Sequence, residues 1–307
     1  MRGRAPLPAL LIAAAAVTVW AVPGSAAVAP AQRPPARVAV PAATSCDPTA
    51  SLRPSGPPRV IPGSFMAKIR ARGYLIAGVD QSTYHFGYLN PRNGKIEGFD
   101  IDMVHAVAAA IFGNPEKVQF KAISDAQRIP DVRSGAVDIV AHTMTINCER
   151  LQQVDFSTVY FDTGQRVLVE ANSPARSLAN LGGKRVCATK GSTSIANIRA
   201  APSHPVPVPV PFWTDCLVLL QQGDVAAIST DDSILDGLAA QDPWTKIVGP
   251  RFTSEPYGLA ISKQHPDFVR FVNAVLQRLR ANGRWAASYA HWVGTPVPAP
   301  PPARYRG

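Results

Sequence analysis

Between residues 63 and 294, short apolar runs alternate with amphipathic stretches. Tyr74-Leu75-Ile76-Ala77-Gly78-Val79 is a continuous apolar run of strand length and predicts a buried strand. Ile101 to Phe112 sets Val104, Ala108 and Ile111 on one face and stops at Gly113, which predicts a helix. Val137–Ala141, Arg166–Glu170, Lys184–Thr189, Val225–Thr230 and Tyr257–Ser262 predict further strands. Pro266 opens a helix with an apolar stripe of Phe268, Phe271, Val272, Val275 and Leu279. Arg278 and Arg280 complete its last turn before Gly283. Strands that alternate with helices define an α/β protein.

Two segments carry more specific signals. In Pro205-Val206-Pro207-Val208-Pro209-Val210-Pro211 every proline removes a donor from the same strand edge, while the valines keep theirs on the other. Such a strand pairs on one side only and belongs at the edge of a sheet. Pro130 cannot sit deep in a helix, so the helix carrying Ile129 and Val132 begins just upstream, with Arg128 in its first turn. A cation there opposes the helix dipole, so Arg128 answers to an anion or an acidic neighbour such as Asp125 or Asp131.

The flanks differ in character. Arg2 and Arg4, the apolar stretch Leu7 to Val22 and Pro23-Gly24-Ser25-Ala26-Ala27 read as a secretory signal over 1–27, short for a membrane span of roughly 20 apolar residues. A soluble mature chain outside the cytoplasm is expected. Residues 28–62, rich in Pro, Ala, Arg and Ser, read as a flexible tether, and 295–307 as a second Pro-rich tail. Ala43-Thr44-Ser45-Cys46 loosely resembles a lipobox but lies far downstream of the apolar stretch. The net charge of +10 is spread over scattered arginines, with no basic stripe to suggest nucleic acid.

Four cysteines in an exported chain point to two disulfides, with three connectivities open. The positions favour Cys46–Cys148 and Cys187–Cys216. Neither Cys-x-x-Cys nor paired histidines occur, so no metal site and no cofactor are expected.

Candidate chemistry centres on Thr143-Met144-Thr145-Ile146-Asn147-Cys148-Glu149-Arg150, directly after the Val137–Ala141 run. Strand ends of α/β sheets are where ligands bind. Paired hydroxyls with a guanidinium fork can take both oxygens of a carboxylate.

With Val154-Asp155-Phe156-Ser157-Thr158-Val159-Tyr160, Gly98-Phe99-Asp100-Ile101-Asp102, Gly183-Lys184-Arg185-Val186, Gly191-Ser192-Thr193, Ser229-Thr230-Asp231-Asp232 and Gly283-Arg284-Trp285, this cluster resembles bacterial family 3 extracellular solute-binding proteins. Actinobacterial glutamine- or glutamate-binding members look most similar, over about 70–294. The resemblance implies a two-lobed periplasmic-binding-protein-like fold of type II, crossed twice near 161–165 and 249–257. Lobe 1 would hold 63–161 with 255–294, and lobe 2 would hold 165–249. It implies a monomeric receptor that captures a free amino acid for the permease of an ABC importer. Residue by residue, Arg150 with Thr143 and Thr145 would hold the α-carboxylate. Ser192 and Thr193 would close on it, and Asp231 would take the α-ammonium unless it merely caps the following helix. Asp80, Thr83 and Phe86 would line the cleft edge and side-chain pocket. Arg128, in Gln127-Arg128-Ile129-Pro130, would meet a side-chain carboxylate, with Lys190 adding charge. Glutamate and aspartate are then expected ahead of asparagine and glutamine. The alternatives are a sensor for a membrane signalling receptor, or an enzyme of the kind that some proteins of this fold resemble. The chain has no Gly-x-Ser-x-Gly and no clear Ser/His/Asp group, and His142 is read as a lone structural histidine.

Overall fold

The computed structural model describes residues 46–306, together with Ala16, Thr18 and Trp20. The signal read over 1–27 and the first part of the tether lie outside the described residues, those three positions aside. Among the described residues no helix is long and apolar enough to cross a membrane.

Two five-stranded sheets organise the chain. The first has the order 118–122, 75–79, 139–141, 260–261, 155–156. Its first three strands are parallel, and Ala260–Ile261 runs antiparallel between Ile139–Ala141 and Asp155–Phe156. Its helices include Phe99–Phe112 and Pro266–Ala281. Val104, Val107, Ala108 and Ile111 from one meet Phe268, Val272, Val275 and Leu279 from the other in a single buried core. Gly113 adopts φ 75 at the end of the first helix, and Pro266 occupies the first turn of the second.

The second sheet has the order 206–210, 185–189, 227–231, 165–170, 245–248. It surrounds a separate core built on Val186, Ile195, Leu217, Ile228 and Leu235. The proline-spaced strand Val206–Val210 lies at its edge and pairs only with Arg185–Thr189. Val206 N donates to Lys184 O on that side. Two short antiparallel strands, Phe161–Thr163 and Glu255–Tyr257, carry the chain between the halves. They run so close at Gly164 that a Cβ there would lie 2.4 Å from Thr253 O.

The expectation of a loose tether over 28–62 and a loose tail over 295–307 is corrected where the structure describes them. Ala50–Leu52 and Arg304–Arg306 pair as a parallel two-stranded ribbon. Ser51 Oγ donates to Phe156 O at 2.6 Å, Asn273 Nδ2 donates to Leu52 O at 2.7 Å, and Arg306 pairs with Asp155 at 2.8 Å. Proline-rich composition rules out helix but not docking. Extended chain can hydrogen-bond to the exposed edge strand Asp155–Phe156 and cover it. Tyr257–Ser262, read as one strand, is split between Glu255–Tyr257 and Ala260–Ile261.

Both disulfides join the favoured pairs, Cys46–Cys148 and Cys187–Cys216. The first ties the N-terminal arm to the short helix that carries Arg150. The second staples a central strand of the second sheet to the helix Trp213–Gln221, with both cysteines fully buried. It closes a loop of 29 residues, for which chain entropy gives about 3.6 kcal/mol. The double variant Cys187→Ala, Cys216→Ala is expected to lose stability on that order in urea unfolding, while disruption of Cys46–Cys148 leaves the second core intact.

Candidate ligand-binding site

One enclosed cleft gathers residues from five strand ends. Asp125 follows Val118–Ala122, and Thr143 and Thr145 follow Ile139–Ala141. Ser192 and Thr193 follow Arg185–Thr189, Trp213 follows Val206–Val210, and Asp231 ends Ala227–Asp231. Each of these strands belongs to a parallel pair, so their carboxyl ends point to the same seam. The closed cleft leaves only about 10 Å³ free, on the order of a single water. Pockets for drug-sized ligands hold roughly 300–1,000 Å³, so the two walls must part before any solute can enter. A larger groove beside the helix Pro266–Ala281 contains none of the buried charges.

Four buried polar atoms in the cleft wall lack a hydrogen-bond partner: Asp125 Oδ1, Thr143 Oγ1, Trp213 Nε1 and Asp231 Oδ1. Buried polar atoms are ordinarily paired, so a cluster of unpaired donors and acceptors on one cleft marks a site for a ligand bearing both.

Arg150 sits in the short helix Cys148–Leu151, whose N-cap Asn147 accepts from Arg150 N. Its guanidinium donates to Thr145 O at 2.6 Å and, from the other half, to Gly191 O at 3.2 Å. Burial, then repulsion from Arg128, brings it down to about 10, still charged at neutral pH. Thr143 has φ 42, a costly conformation for a β-branched residue. Asp100 holds it there by accepting from Thr143 N at 2.7 Å. That amide is therefore committed to Asp100, and only the Thr143 hydroxyl is free. Asp100 also accepts from Tyr160 Oη at 2.6 Å, and burial pushes its carboxyl up to about 6.

Asp231 precedes the helix Asp232–Gln241 but makes no side-chain cap, which removes the capping alternative. Oδ2 accepts from Tyr257 Oη at 2.6 Å. Burial, then the negative charge of Glu255, pushes the Asp231 carboxyl up to about 8. Ser192 caps the helix Thr193–Ala200 by accepting from Ile195 N, and Thr193 Oγ1 donates to Glu255 at 2.9 Å.

Arg128 opens the helix Arg128–Ser134 and is buried. Its Nη1 stands 2.8 Å from Asp125 Oδ1, an ionic contact without hydrogen-bond alignment. It donates to His142 O at 3.0 Å and to Gly191 O at 3.3 Å. Asp125 also accepts from Thr189 Oγ1 across the cleft.

Four expected residues lie elsewhere. Asp80 spends both oxygens on its own turn, accepting from Gln81 N, Ser82 N and Thr83 Oγ1, so neither Asp80 nor Thr83 lines the cleft. Phe86 is core, stacked edge-on against Phe161 and Tyr257. Lys190 is exposed and faces an outer groove. Asp125 and Trp213 were missed as wall residues. The sequence offered one signal, the capping box Ser124-Asp125-Ala126-Gln127, which fixes the turn that carries Asp125.

A model of the bacterial extracellular solute-binding proteins, family 3, matches residues 75–295, and the chain belongs to that family. It is a solute receptor and not an enzyme. It is 38% identical over 229 residues to the ABC transporter glutamine-binding protein GlnH of Bacillus subtilis (strain 168), covering 74% of this chain and 84% of that one. It is 37% identical over 206 residues to the glutamine-binding protein of Geobacillus stearothermophilus, covering 67% and 79%. Among solved structures it resembles an ancestral arginine-binding protein bound to glutamine, with a TM-score of 0.69 and 34% identity, covering 73% and 99%.

Closure of the cleft depends on two glycines of the second half. A Cβ on Gly191 (φ 90) would lie 2.8 Å from Ala126 Cα, and one on Gly237 would lie 2.7 Å from Tyr84 O. Gly237 is helical, so alanine there favours its own helix by about 1 kcal/mol while blocking approach of the halves. Gly237→Ala should therefore retain thermal stability yet show a larger radius of gyration by small-angle scattering.

The Asp231 carboxyl has a pKa of about 8 in the closed cleft against roughly 4 in water. A raised acid takes up a proton on closing. Without an added cation, closure is then favoured at low pH and loses ground as pH rises from about 4 to 8. Ligand-free protein should scatter as a more compact particle at pH 5 than at pH 8, and Asp231→Asn should abolish the difference.

Proposed function

We propose that this receptor captures a free amino acid, glutamine foremost, between its two halves outside the membrane and delivers it to an ABC importer. The α-carboxylate is assigned to Arg150, the Thr143 and Thr145 side chains, and the helix N-terminus at Ser192–Thr193. The α-ammonium is assigned to Asp231. A zwitterion desolvated in a closed cleft needs a partner for each charge, and the unpaired Oδ1 of Asp231 supports this assignment.

The observation that carries the side-chain reading is the buried pair Arg128–Asp125. Glutamate and aspartate come first only if Arg128 answers to a ligand carboxylate rather than to an acidic neighbour. Paired with Asp125, Arg128 offers a donor beside an acceptor, and the pair is close to neutral. A carboxamide matches it, with C=O toward Arg128 and NH₂ toward Asp125 Oδ1. A carboxylate would face Asp125, and a cationic ligand would face Arg128. The order favoured is glutamine, then asparagine and glutamate, then aspartate, with basic amino acids last. The relatives from Bacillus subtilis and Geobacillus stearothermophilus are glutamine-binding proteins, which supports placing glutamine first. Closure about the paired strands 161–163 and 255–257 would present the loaded form to the permease.

Calorimetry with a panel of amino acids tests the reading. Glutamate or aspartate binding more tightly than glutamine at pH 7.5 overturns the order. Arg150→Ala and Asp231→Ala should each weaken glutamine binding by roughly 30-fold or more, since loss of one partner of a desolvated charge pair costs about 2–5 kcal/mol. A folded variant that binds within threefold of wild type removes that residue from the site.

A further inference from the structure

His142 lies behind the cleft wall, directly after the strand Ile139–Ala141, and is fully buried. Its Nε2 is 2.9 Å from Ile123 O. A carbonyl only accepts, so Nε2 carries a hydrogen whether the ring is neutral or charged. Protonation therefore changes one atom, Nδ1. That atom is buried, has no hydrogen-bond partner, and stands 3.5 Å from Asp125 Oδ1. In the neutral ring Nδ1 presents a lone pair to a carboxylate oxygen, and no bond forms. In the charged ring it presents a donor to the same oxygen.

The groups that face His142 come from every element around it. Asp80, after Leu75–Val79, has Oδ2 3.9 Å from Nε2. Asp125 comes from the turn Asp125–Gln127. Asp100, from the helix Phe99–Phe112, is close enough for the His142 charge to act on its carboxyl. Arg128 donates to the His142 carbonyl at 3.0 Å.

We propose that His142 is a positioning residue that makes side-chain selectivity depend on pH, an inference that rests on the amino-acid reading of the cleft. Neutral His142 leaves Asp125 to balance Arg128, which suits a carboxamide. Protonated His142 engages Asp125 Oδ1 and adds one positive charge behind the wall, so Arg128 becomes available to a side-chain carboxylate. Bound glutamate in turn stabilises the charged ring, and its binding takes up a proton. Protonation of the ring then raises glutamate affinity relative to glutamine. The charges of Asp231 and Arg150 act on the ammonium and carboxylate that the two ligands share, so they cancel in the ratio.

The test is calorimetry of glutamine and glutamate on the full chain at pH 8.0 and pH 5.5. In wild type the ratio of the two affinities should shift toward glutamate by about tenfold, the equivalent of one pKa unit of coupling. His142→Gln keeps an amide donor for Ile123 O but does not titrate, and its ratio should be the same at both pH values. Asp125→Ala removes the acceptor that Nδ1 faces, and its ratio should also be flat, which covers a failure of His142→Gln to fold. A wild-type ratio that does not move, or one that moves equally in both variants, overturns the role of His142 while the amino-acid reading stands. Binding of neither ligand at either pH overturns that reading and this inference with it.

Discussion

Burying unlike charges in a cleft shared by two separate cores is the constraint on which this molecule depends. Arg128, Arg150, Asp125 and Asp231 are each less than a tenth exposed, and they come from both halves of the chain. An isolated buried charge is far too costly to keep, so each must find a partner across the seam or in a ligand. The partial pairing observed follows from this. Arg128 is matched by Asp125, while both guanidinium groups reach one carbonyl of the opposite half at Gly191. Asp231 instead answers its burial with a raised pKa. The closed arrangement is thus electrostatically incomplete in one direction only, toward a solute that carries both signs of charge.

The scaffold makes this arrangement precise in position and free to move. The strand ends that present the cleft residues are embedded in two independent cores, and only two short strands join them. Glycines allow backbone to meet backbone at Gly191 and Gly237, where any side chain would hold the halves apart. The N- and C-terminal ribbon and the Cys46–Cys148 bridge act on one half alone. They cover its short edge strand and fix the helix of Arg150 without adding a tie across the seam.

A second layer tunes the wall. Asp100 sets the strained Thr143 backbone, Tyr257 and Glu255 bias Asp231, and His142 stands behind Asp125. These groups never line the cleft, yet they decide which polar atoms in it remain unpaired.

The local pattern of the chain, by itself, determined the α/β alternation, a helix closed at Gly113 and the edge position of Val206–Val210, and it pointed to Thr143, Thr145 and Arg150, which share one cleft. Each of these depends on dihedral preference, side-chain spacing or a missing donor, all properties of residues adjacent in sequence. Tertiary structure alone decided that Arg128 is neutralised by a buried Asp125, that Trp213 reaches the cleft, and that Asp80, Thr83, Phe86 and Lys190 do not. It also decided that the proline-rich arms dock. The physical reason is that partner choice among charges and aromatic rings is settled by which strand ends meet. Asp125 touches Thr189 and Arg150 touches Gly191 only because two sheets face each other across a hinge, a relation that no local pattern records.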